Sequence, residues 1–157
     1  GKPVKFGKDG ELWVKGPQVM QGYWKNKKAT KAVMQDGWFK TGDIVKMSKN
    51  GEIEIVDRVK DMIIISGFNV YPSEVEMALT QHEKIAEAAV VGTQALNGNE
   101  AVKAYIVSRC PLSLGEVRKH CKMIIAGYKI PTQVEFVKEL PKSTVGKVLR
   151  KDLKKVA

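Results

Sequence analysis

The twenty residues from Asp57 to Glu76 read DRVKDMIIISGFNVYPSEVE, and they say more about the fold than any other stretch of the chain. A charged turn, an apolar run, a glycine loop and a helix start follow one another without a spacer. Charged clusters are usually solvated, whereas apolar runs are usually buried. Their direct fusion predicts a hinge or a binding site in which charged groups are held beside the core.

The residues before this stretch predict strands joined by tight turns. Residues 11–15 alternate polar and apolar side chains with a period of two, and a short helix is expected near residues 25–33. Two further apolar segments, 44–48 and 52–56, flank Asn50-Gly51, which is a strong hairpin signal. Residues 1–56 are therefore predicted to be β-rich.

From Asp61 onward the pattern changes to mixed α/β. The apolar run Met62–Ile65 predicts a buried strand. The helix that follows begins in one of two ways: Pro72 is its first residue, or Ser73 and Glu76 form a capping box. Strands are then expected at residues 88–91, 102–107 and 134–137, with a basic helix over residues 148–156.

A second capping box, formed by Ser113 and Glu116, predicts another helix between these strands. Its apolar residues recur at helical spacing, so Cys121 is expected in the core, and Gly127 is expected to end the helix. The apolar set is Leu114, Val117, Cys121, Ile124 and Ile125.

Composition argues against a membrane-spanning chain, a disulfide framework and a zinc site. The chain has 157 residues, and it contains no apolar run near the roughly 20 residues that span a bilayer. Two cysteines give no disulfide framework, and His120 beside Cys121 has no second spaced pair with which to bind zinc, so no metal site is expected. A reducing cytoplasm is the expected compartment. The start at Gly1, without Met, predicts a piece of a longer protein.

The net charge of +10 leaves two interpretations open. Anionic partners such as nucleotides, phosphates, nucleic acid or an acidic membrane surface would explain it. So would the separation of this chain from a more acidic remainder. Lysines cluster at residues 25–31 and 147–155, but no aromatic-rich recognition motif accompanies them, so nucleic acid is not the expected partner.

Four segments carry candidate site residues. Asp43 follows Gly42 at the expected start of a strand, where a carboxylate can bind both hydroxyls of a ribose. Arg58 offers five fixed donors, and Lys60 a mobile point charge. Gly67 follows an apolar strand and permits positive φ or the close approach of a ligand. Taken alone, each of these residues is most simply a turn residue.

The fourth segment, residues 141–147, comes close to the phosphate-binding P-loop pattern without matching it. Pro141 stands where the pattern requires its first glycine, and Val148 stands where it requires Ser or Thr. We therefore expect a flexible loop that presents Lys147. A lysine in such a position can neutralise the charge that builds up on a phosphoryl group in a transition state.

Taken in order, these motifs resemble the C-terminal end of adenylate-forming enzymes, which include acyl-CoA synthetases, luciferases and peptide-synthetase adenylation domains. Thr41-Gly42-Asp43 and residues 57–76, 127–131 and 140–147 are most similar to bacterial long-chain-fatty-acid–CoA ligases. The resemblance covers essentially all 157 residues. Amino-acid adenylation domains typically lack a Phe-Asn-Val-Tyr-Pro sequence, so its presence favours fatty acyl substrates.

The resemblance implies an α+β fold in three parts. Residues 1–56 would be the β-rich end of a large N-terminal domain, residues 57–61 a hinge, and residues 62–157 the small mixed α/β C-terminal lid domain of AMP-binding enzymes. Asp43 and Arg58 would bind the nucleotide, and Lys60 would be the hinge residue. Gly67 would lie where the pantetheine arm of CoA passes, and Lys147 would be the catalytic lysine of adenylation.

The resemblance also implies what lies upstream of Gly1. The glycine- and Ser/Thr-rich phosphate loop, the adenine-contacting segment, the acyl tunnel and the magnesium-binding carboxylate are all expected there. ATP, CoA and Mg²⁺ are thus expected to bind the longer parent enzyme of which this chain would be a part, and none of them is expected to bind tightly to this chain. The chain alone is expected to be inactive, and its exposed strand edges could drive self-association. The basic tail either docks the parent on the anionic inner membrane or only increases solubility.

Overall fold

The division of the chain falls between Lys60 and Asp61. The computed structural model describes residues 2–95 and 98–156, and these form two compact units, one ending at Lys60 and the other beginning at Asp61. The division falls within residues 57–61, whose role as a hinge stays a prediction. A 3₁₀ turn, Val59–Asp61, carries the chain from one unit to the next.

The first unit is an antiparallel sheet built around one long strand. Strand β3 (Trp38–Met47) pairs with β1 (Asp9–Val14), with β2 (Met34–Gln35) and with β4 (Ile53–Arg58). The predicted hairpin at Asn50-Gly51 is confirmed, and Gly51 has the positive φ of 88° that its turn requires. Helix α1 (Lys27–Val33) is capped by the Asn26 side chain, which accepts a hydrogen bond from Ala29 N at 2.9 Å.

The second unit has a hairpin, a three-stranded sheet and three helices. Strands β5 (Ile63–Ile65) and β6 (Phe68–Val70) form the hairpin. In the sheet, β8 (Glu100–Ser108) pairs antiparallel with β7 (Ile85–Gln94) and parallel with β9 (Gln133–Phe136). The helices are α2 (Pro72–Thr80), α3 (Leu114–Lys122) and α4 (Arg150–Val156). The predicted mixed α/β class is confirmed.

Both faces of this sheet are buried, as the apolar run in β7 requires. Successive residues of a strand point to opposite faces. Val90 accordingly packs in one core cluster, with residues of α2 and α3, while Ala89 and Val91 pack in the other. The second cluster contains Leu153 of α4 and Leu140 of the segment before it. Helix α4 and the loop that precedes it are thus fixed to one face of the sheet.

Two helix boundaries settle or correct the expectations. Pro72 is the first residue of α2, so the alternative capping box of Ser73 and Glu76 is wrong. The capping box of Ser113 and Glu116 is confirmed.

Helix α3 ends at Lys122, four residues earlier than Gly127 would have ended it. Here the amides of Met123 and Ile124 bond to carbonyls three residues back, which tightens the chain into a turn. Ile124 is consequently 41% exposed rather than buried. Residues Gly127–Lys129 form a separate 3₁₀ turn.

Cys110 is exposed, Cys121 is buried as expected, and both are free thiols. Over residues 2–95 and 98–156, no helix combines the length and the apolar character needed to cross a membrane.

Candidate functional site

Asp43 lies on a bulge in the middle of β3, and not at the start of a strand as the sequence suggested. Glu11 pairs with Ile44 and Trp13 pairs with Lys40, so Leu12 alone faces residues 41–43. Gly42 absorbs the extra length with a φ of 74°. Thr41 Oγ1 donates to the Leu12 carbonyl at 2.9 Å and accepts from Asp43 N at 3.1 Å. The bulge therefore fixes the backbone that carries the Asp43 carboxylate.

The structure brings Asp43 and Arg58 together across the β3–β4 pair. The two residues are opposite each other in the ladder, and Arg58 Nε donates to Asp43 Oδ1 at 3.0 Å. Asp57 is buried, and its Oδ1 accepts from Arg58 N at 2.7 Å, which holds the end of β4. The Asp43 side chain is 26% exposed and that of Arg58 is 49% exposed. A carboxylate and a guanidinium thus reach solvent side by side, in an arrangement suited to hydroxyl and phosphate groups.

Lys60 is exposed and belongs to the 3₁₀ turn Val59–Asp61. It is the last residue of the first unit. Its place in the chain suits a pivot, and the pivot role stays a prediction.

Gly67 lies in the tight turn between β5 and β6. Ile65 pairs with Phe68, so Ser66 and Gly67 form a two-residue loop, and both have positive φ, of 49° and 83°. This combination is a type I′ turn, whose hand matches the twist of the strands. No atom outside the turn lies within 4 Å of the position that a Cβ of Gly67 would occupy. The glycine is therefore exposed at the tip of the β5–β6 hairpin.

The segment that carries Lys147 is a hydrogen-bonded hairpin, where a flexible loop was expected. Ser143 N donates to the Lys147 carbonyl at 2.8 Å, and Leu149 N donates to the Pro141 carbonyl at 2.8 Å. Gly146 turns the chain with a φ of 78°. Lys147 itself is exposed, and none of the ion pairs among the described residues includes it. Its ammonium group is thus presented on a well-defined backbone.

The candidate residues divide between the two units. Asp43 and Arg58 are in contact within the first unit, whereas Gly67 and Lys147 lie on separate hairpins of the second. Over the described ranges of the chain, no three His, Cys, Asp or Glu side chains are grouped as a metal site would require. The magnesium-binding carboxylate stays an expectation for the upstream sequence.

One cluster that the structure reveals was not predicted from sequence. Arg150, Glu76 and Asp61 lie together close to the Lys147 hairpin, and each side chain is at most 23% exposed. Arg150 is the first residue of α4, where the helix dipole disfavours a positive charge, but its partner Glu76 lies 74 residues away in the sequence, so no local pattern indicated the pair.

Comparison with known proteins adds a family match. Residues 74–147 match the AMP-binding enzyme C-terminal domain. Over 98% of its length, the chain is 51% identical to a long-chain-fatty-acid–CoA ligase of Yersinia pestis. It spans only 28% of the length of that ligase.

Solved structures give the same picture for the fold. The o-succinylbenzoate CoA synthetase MenE of Bacillus subtilis, in complex with the acyl-adenylate intermediate OSB-AMP, is 39% identical, with a TM-score of 0.85 over 96% of this chain and 31% of that one. Another structure of this synthetase contains ATP and a magnesium ion. ATP-bound MatB of Rhodopseudomonas palustris is 35% identical, with a TM-score of 0.92 over 99% of this chain and 32% of that one.

Proposed function

Because residues 74–147 belong to the AMP-binding enzyme C-terminal domain family, we propose that this chain is the C-terminal part of an ATP-dependent long-chain fatty acid–CoA ligase. The longer protein is called the parent ligase below. The observation that carries the proposal is the similarity to the Yersinia pestis ligase along nearly the whole chain. The parent ligase would act in the cytoplasm on a fatty acid, ATP and CoA.

The proposed reaction has two halves. A carboxylate oxygen of the fatty acid attacks the α-phosphorus of ATP, the bond to the bridging oxygen breaks, and pyrophosphate leaves. The thiol sulfur of CoA then attacks the acyl carbonyl, the bond from the acyl carbon to the AMP oxygen breaks, and AMP leaves with the electron pair. The thiol proton passes to solvent or to AMP. Magnesium would neutralise phosphate charge in the first half, bound by groups upstream of this chain.

Asp43 and Arg58 are proposed to bind the nucleotide. A carboxylate accepts hydrogen bonds from both hydroxyls of a ribose, and a guanidinium donates to hydroxyl or phosphate oxygens. The ion pair at 3.0 Å supports this role because it orients both groups before the nucleotide binds.

Lys147 is proposed to act in adenylation only. Its ammonium group would contact both the α-phosphate and the substrate carboxylate, and so stabilise the charge that develops between them. The hydrogen-bonded hairpin supports this role because it fixes the backbone from which the side chain extends. Rotation of the second unit at Lys60 would then remove Lys147 and bring Gly67 to the pantetheine arm of CoA.

The test is the separation of the two half-reactions in the parent ligase. We expect Lys147→Ala to abolish ATP–pyrophosphate exchange while thioester formation from preformed acyl-adenylate is largely kept. Lys151→Ala is the matched control, because it removes an exposed lysine of the following helix. Equal loss of both half-reactions in Lys147→Ala would contradict the proposed two-conformation cycle.

A second candidate is another acyl- or aryl-CoA ligase of the same superfamily. The TM-score of 0.85 with o-succinylbenzoate CoA synthetase favours it, since the fold of this chain suits ligases with different acids. A panel of fatty and aromatic acids, assayed for AMP release by the parent ligase, separates the two candidates. A preference for an aromatic acid would overturn the long-chain assignment.

A further inference from the structure

Arg150 makes a bidentate contact with a carboxylate far away in the sequence. Its Nε lies 3.0 Å from Glu76 Oε1, and its Nη2 lies 2.6 Å from Glu76 Oε2. Nη2 also donates to Ser73 Oγ at 3.3 Å. The side chains of Arg150 and Glu76 are 23% and 20% exposed, so water competes little for these bonds. A guanidinium held by two parallel hydrogen bonds has a fixed orientation as well as a fixed position.

Glu76 extends this contact to the sheet. Its Oε1 accepts a hydrogen bond from Val90 N of β7 at 2.8 Å while it binds Arg150. The carboxylate therefore joins helix α2, strand β7 and the start of helix α4.

The cluster also includes Asp61, which is the first residue of the second unit. Its Oδ2 lies 4.0 Å from Arg150 Nη1, and its Oδ1 lies 3.3 Å from Lys154 Nζ. Asp61 directly follows Lys60, the proposed pivot. Two cations of α4 are thus tied to the residue at which the second unit begins.

Stability of α4 alone does not account for an arginine at this position. A positive charge in the first turn of a helix opposes the helix dipole, and an acidic residue there would be favourable. Arg150 is nevertheless three residues from Lys147 and directly follows the hairpin of residues 141–149, which backbone hydrogen bonds close. A group that fixes Arg150 therefore fixes the base of the arm that carries Lys147.

We propose that Arg150 and Glu76 are positioning residues for adenylation, which hold the Lys147 hairpin at a fixed orientation relative to Asp61. Any rotation at Lys60 then carries the lysine to the same point in each cycle. The inference rests on the proposed role of Lys147, and it adds two residues that would act through that lysine without touching the substrate.

The experiment measures both half-reactions of the parent ligase in Arg150→Gln, Glu76→Gln and the double variant. A misplacement of about 1 Å can cost about 100-fold in rate, so we expect the kcat of ATP–pyrophosphate exchange to fall roughly 10- to 100-fold. Thioester formation from preformed acyl-adenylate should change less than about threefold, because Lys147 is absent from that step. The double variant should lose less than the sum of the two single losses, since both single variants remove the Arg150–Glu76 contact.

A matched control comes from the other leg of the hairpin. Lys142 Nζ lies 2.7 Å from Glu87 Oε1, but both side chains are about 40% exposed. Glu87→Gln breaks this pair with the same change of charge, and we expect less than about a twofold effect on exchange, because exposed ion pairs contribute little.

Three outcomes would overturn the inference: an equal fall in both half-reactions with a lower melting temperature, unchanged exchange in Arg150→Gln, or additive losses in the double variant. Lys147→Ala assayed in parallel separates the two proposals. If that variant keeps its exchange activity, the proposed role of Lys147 is wrong. If it loses exchange while Arg150→Gln keeps it, only the positioning role is wrong.

Discussion

The Asp43 carboxylate offers the most direct test of nucleotide binding at the scale of one residue. Its ion pair with Arg58 is partly solvated, so we expect Asp43→Asn to cost less than about 1 kcal/mol of stability. In the parent ligase the same change should raise KM for ATP about tenfold, which corresponds to about 1.4 kcal/mol of lost binding. Steady-state kinetics with varied ATP check this value.

Lys46→Gln is the control for Asp43→Asn. It lies on the same strand and breaks an exposed ion pair with Asp9, whose atoms are 3.8 Å apart. A similar rise of KM for ATP in both variants would mean that the loss comes from a disturbed strand β3 and not from a lost contact between Asp43 and the nucleotide.

Glu116 predicts how the stability of the chain responds to acid. Hydrogen bonds lower the pKa of its carboxyl to about 2. The largest effect comes from the Lys84 side chain, followed by the backbone and side chain of Ser113. Because this folded-state pKa lies below the usual value of 4.5, the stabilisation is complete above pH 4.5 and is lost as the pH falls towards 2. We expect Glu116→Gln to flatten that part of the stability curve, measured as urea midpoints by circular dichroism.

The exposed carboxyl of Glu139, which lies outside α3, gives the control for this pH dependence. Glu139→Gln makes the same change of charge outside the Lys84–Glu116–Ser113 contacts, so the slope of Glu116→Gln is compared with that of Glu139→Gln. An unchanged slope in Glu116→Gln would contradict the prediction.

Single residues also mark the limit of prediction from sequence. Asp43 and Arg58 stood out because each lies in a local motif, but their contact depends on the register of β3 and β4, which the sequence does not give. Glu76 was considered only as a helix cap because Arg150, its partner, lies 74 residues further along the chain. Contacts of that separation are set by packing, and no local pattern reports them.

At the scale of the element, two glycines in hairpin turns make a matched pair. Gly67 and Gly51 have φ values of 83° and 88°, and a Cβ at either position would meet no atom within 4 Å. Substitution by Ala should therefore cost each turn about 1 kcal/mol through backbone strain alone.

If the pantetheine arm passes Gly67, only Gly67→Ala should slow thioester formation from preformed acyl-adenylate in the parent ligase. Stopped-flow detection of AMP release checks this expectation. Equal rates in Gly67→Ala and Gly51→Ala would remove Gly67 from the proposed CoA path.

Elements with a local start signal were predicted well, and elements without a local stop signal were not. Asn50-Gly51 and the capping box at Ser113 each satisfy backbone geometry through neighbouring residues, so neither depends on a contact with a distant part of the chain. The end of α3 was placed too late because Ile124 and Ile125 continue the helical spacing. The chain instead tightens at Met123 and Ile124, whose amides bond to carbonyls three residues back, so that Ile124 is exposed while Ile125 packs against the core.

At the scale of the whole molecule, we propose that catalysis and the choice of acyl substrate depend on different parts of the parent ligase. In this proposal the chain would supply Asp43, Arg58 and Lys147 for catalysis, and the acyl tunnel is expected upstream. The chain alone should therefore give no ATP–pyrophosphate exchange with any fatty acid. Exchange by the isolated chain would contradict this assignment.

A chimera tests whether the part upstream of this chain sets the acyl preference. This chain would replace the matching part of the Yersinia pestis ligase, to which it is 51% identical. We expect the chimera to catalyse exchange and to prefer the same acyl chain lengths as that ligase, because the proposal places the residues that contact the acyl chain in its upstream part. The preference is measured as relative kcat/KM across a series of fatty acids, with the unmodified ligase as control. If the chimera prefers other acyl chain lengths than the unmodified ligase, some part of residues 1–157 contacts the acyl group. The tunnel would then not be confined to the upstream sequence.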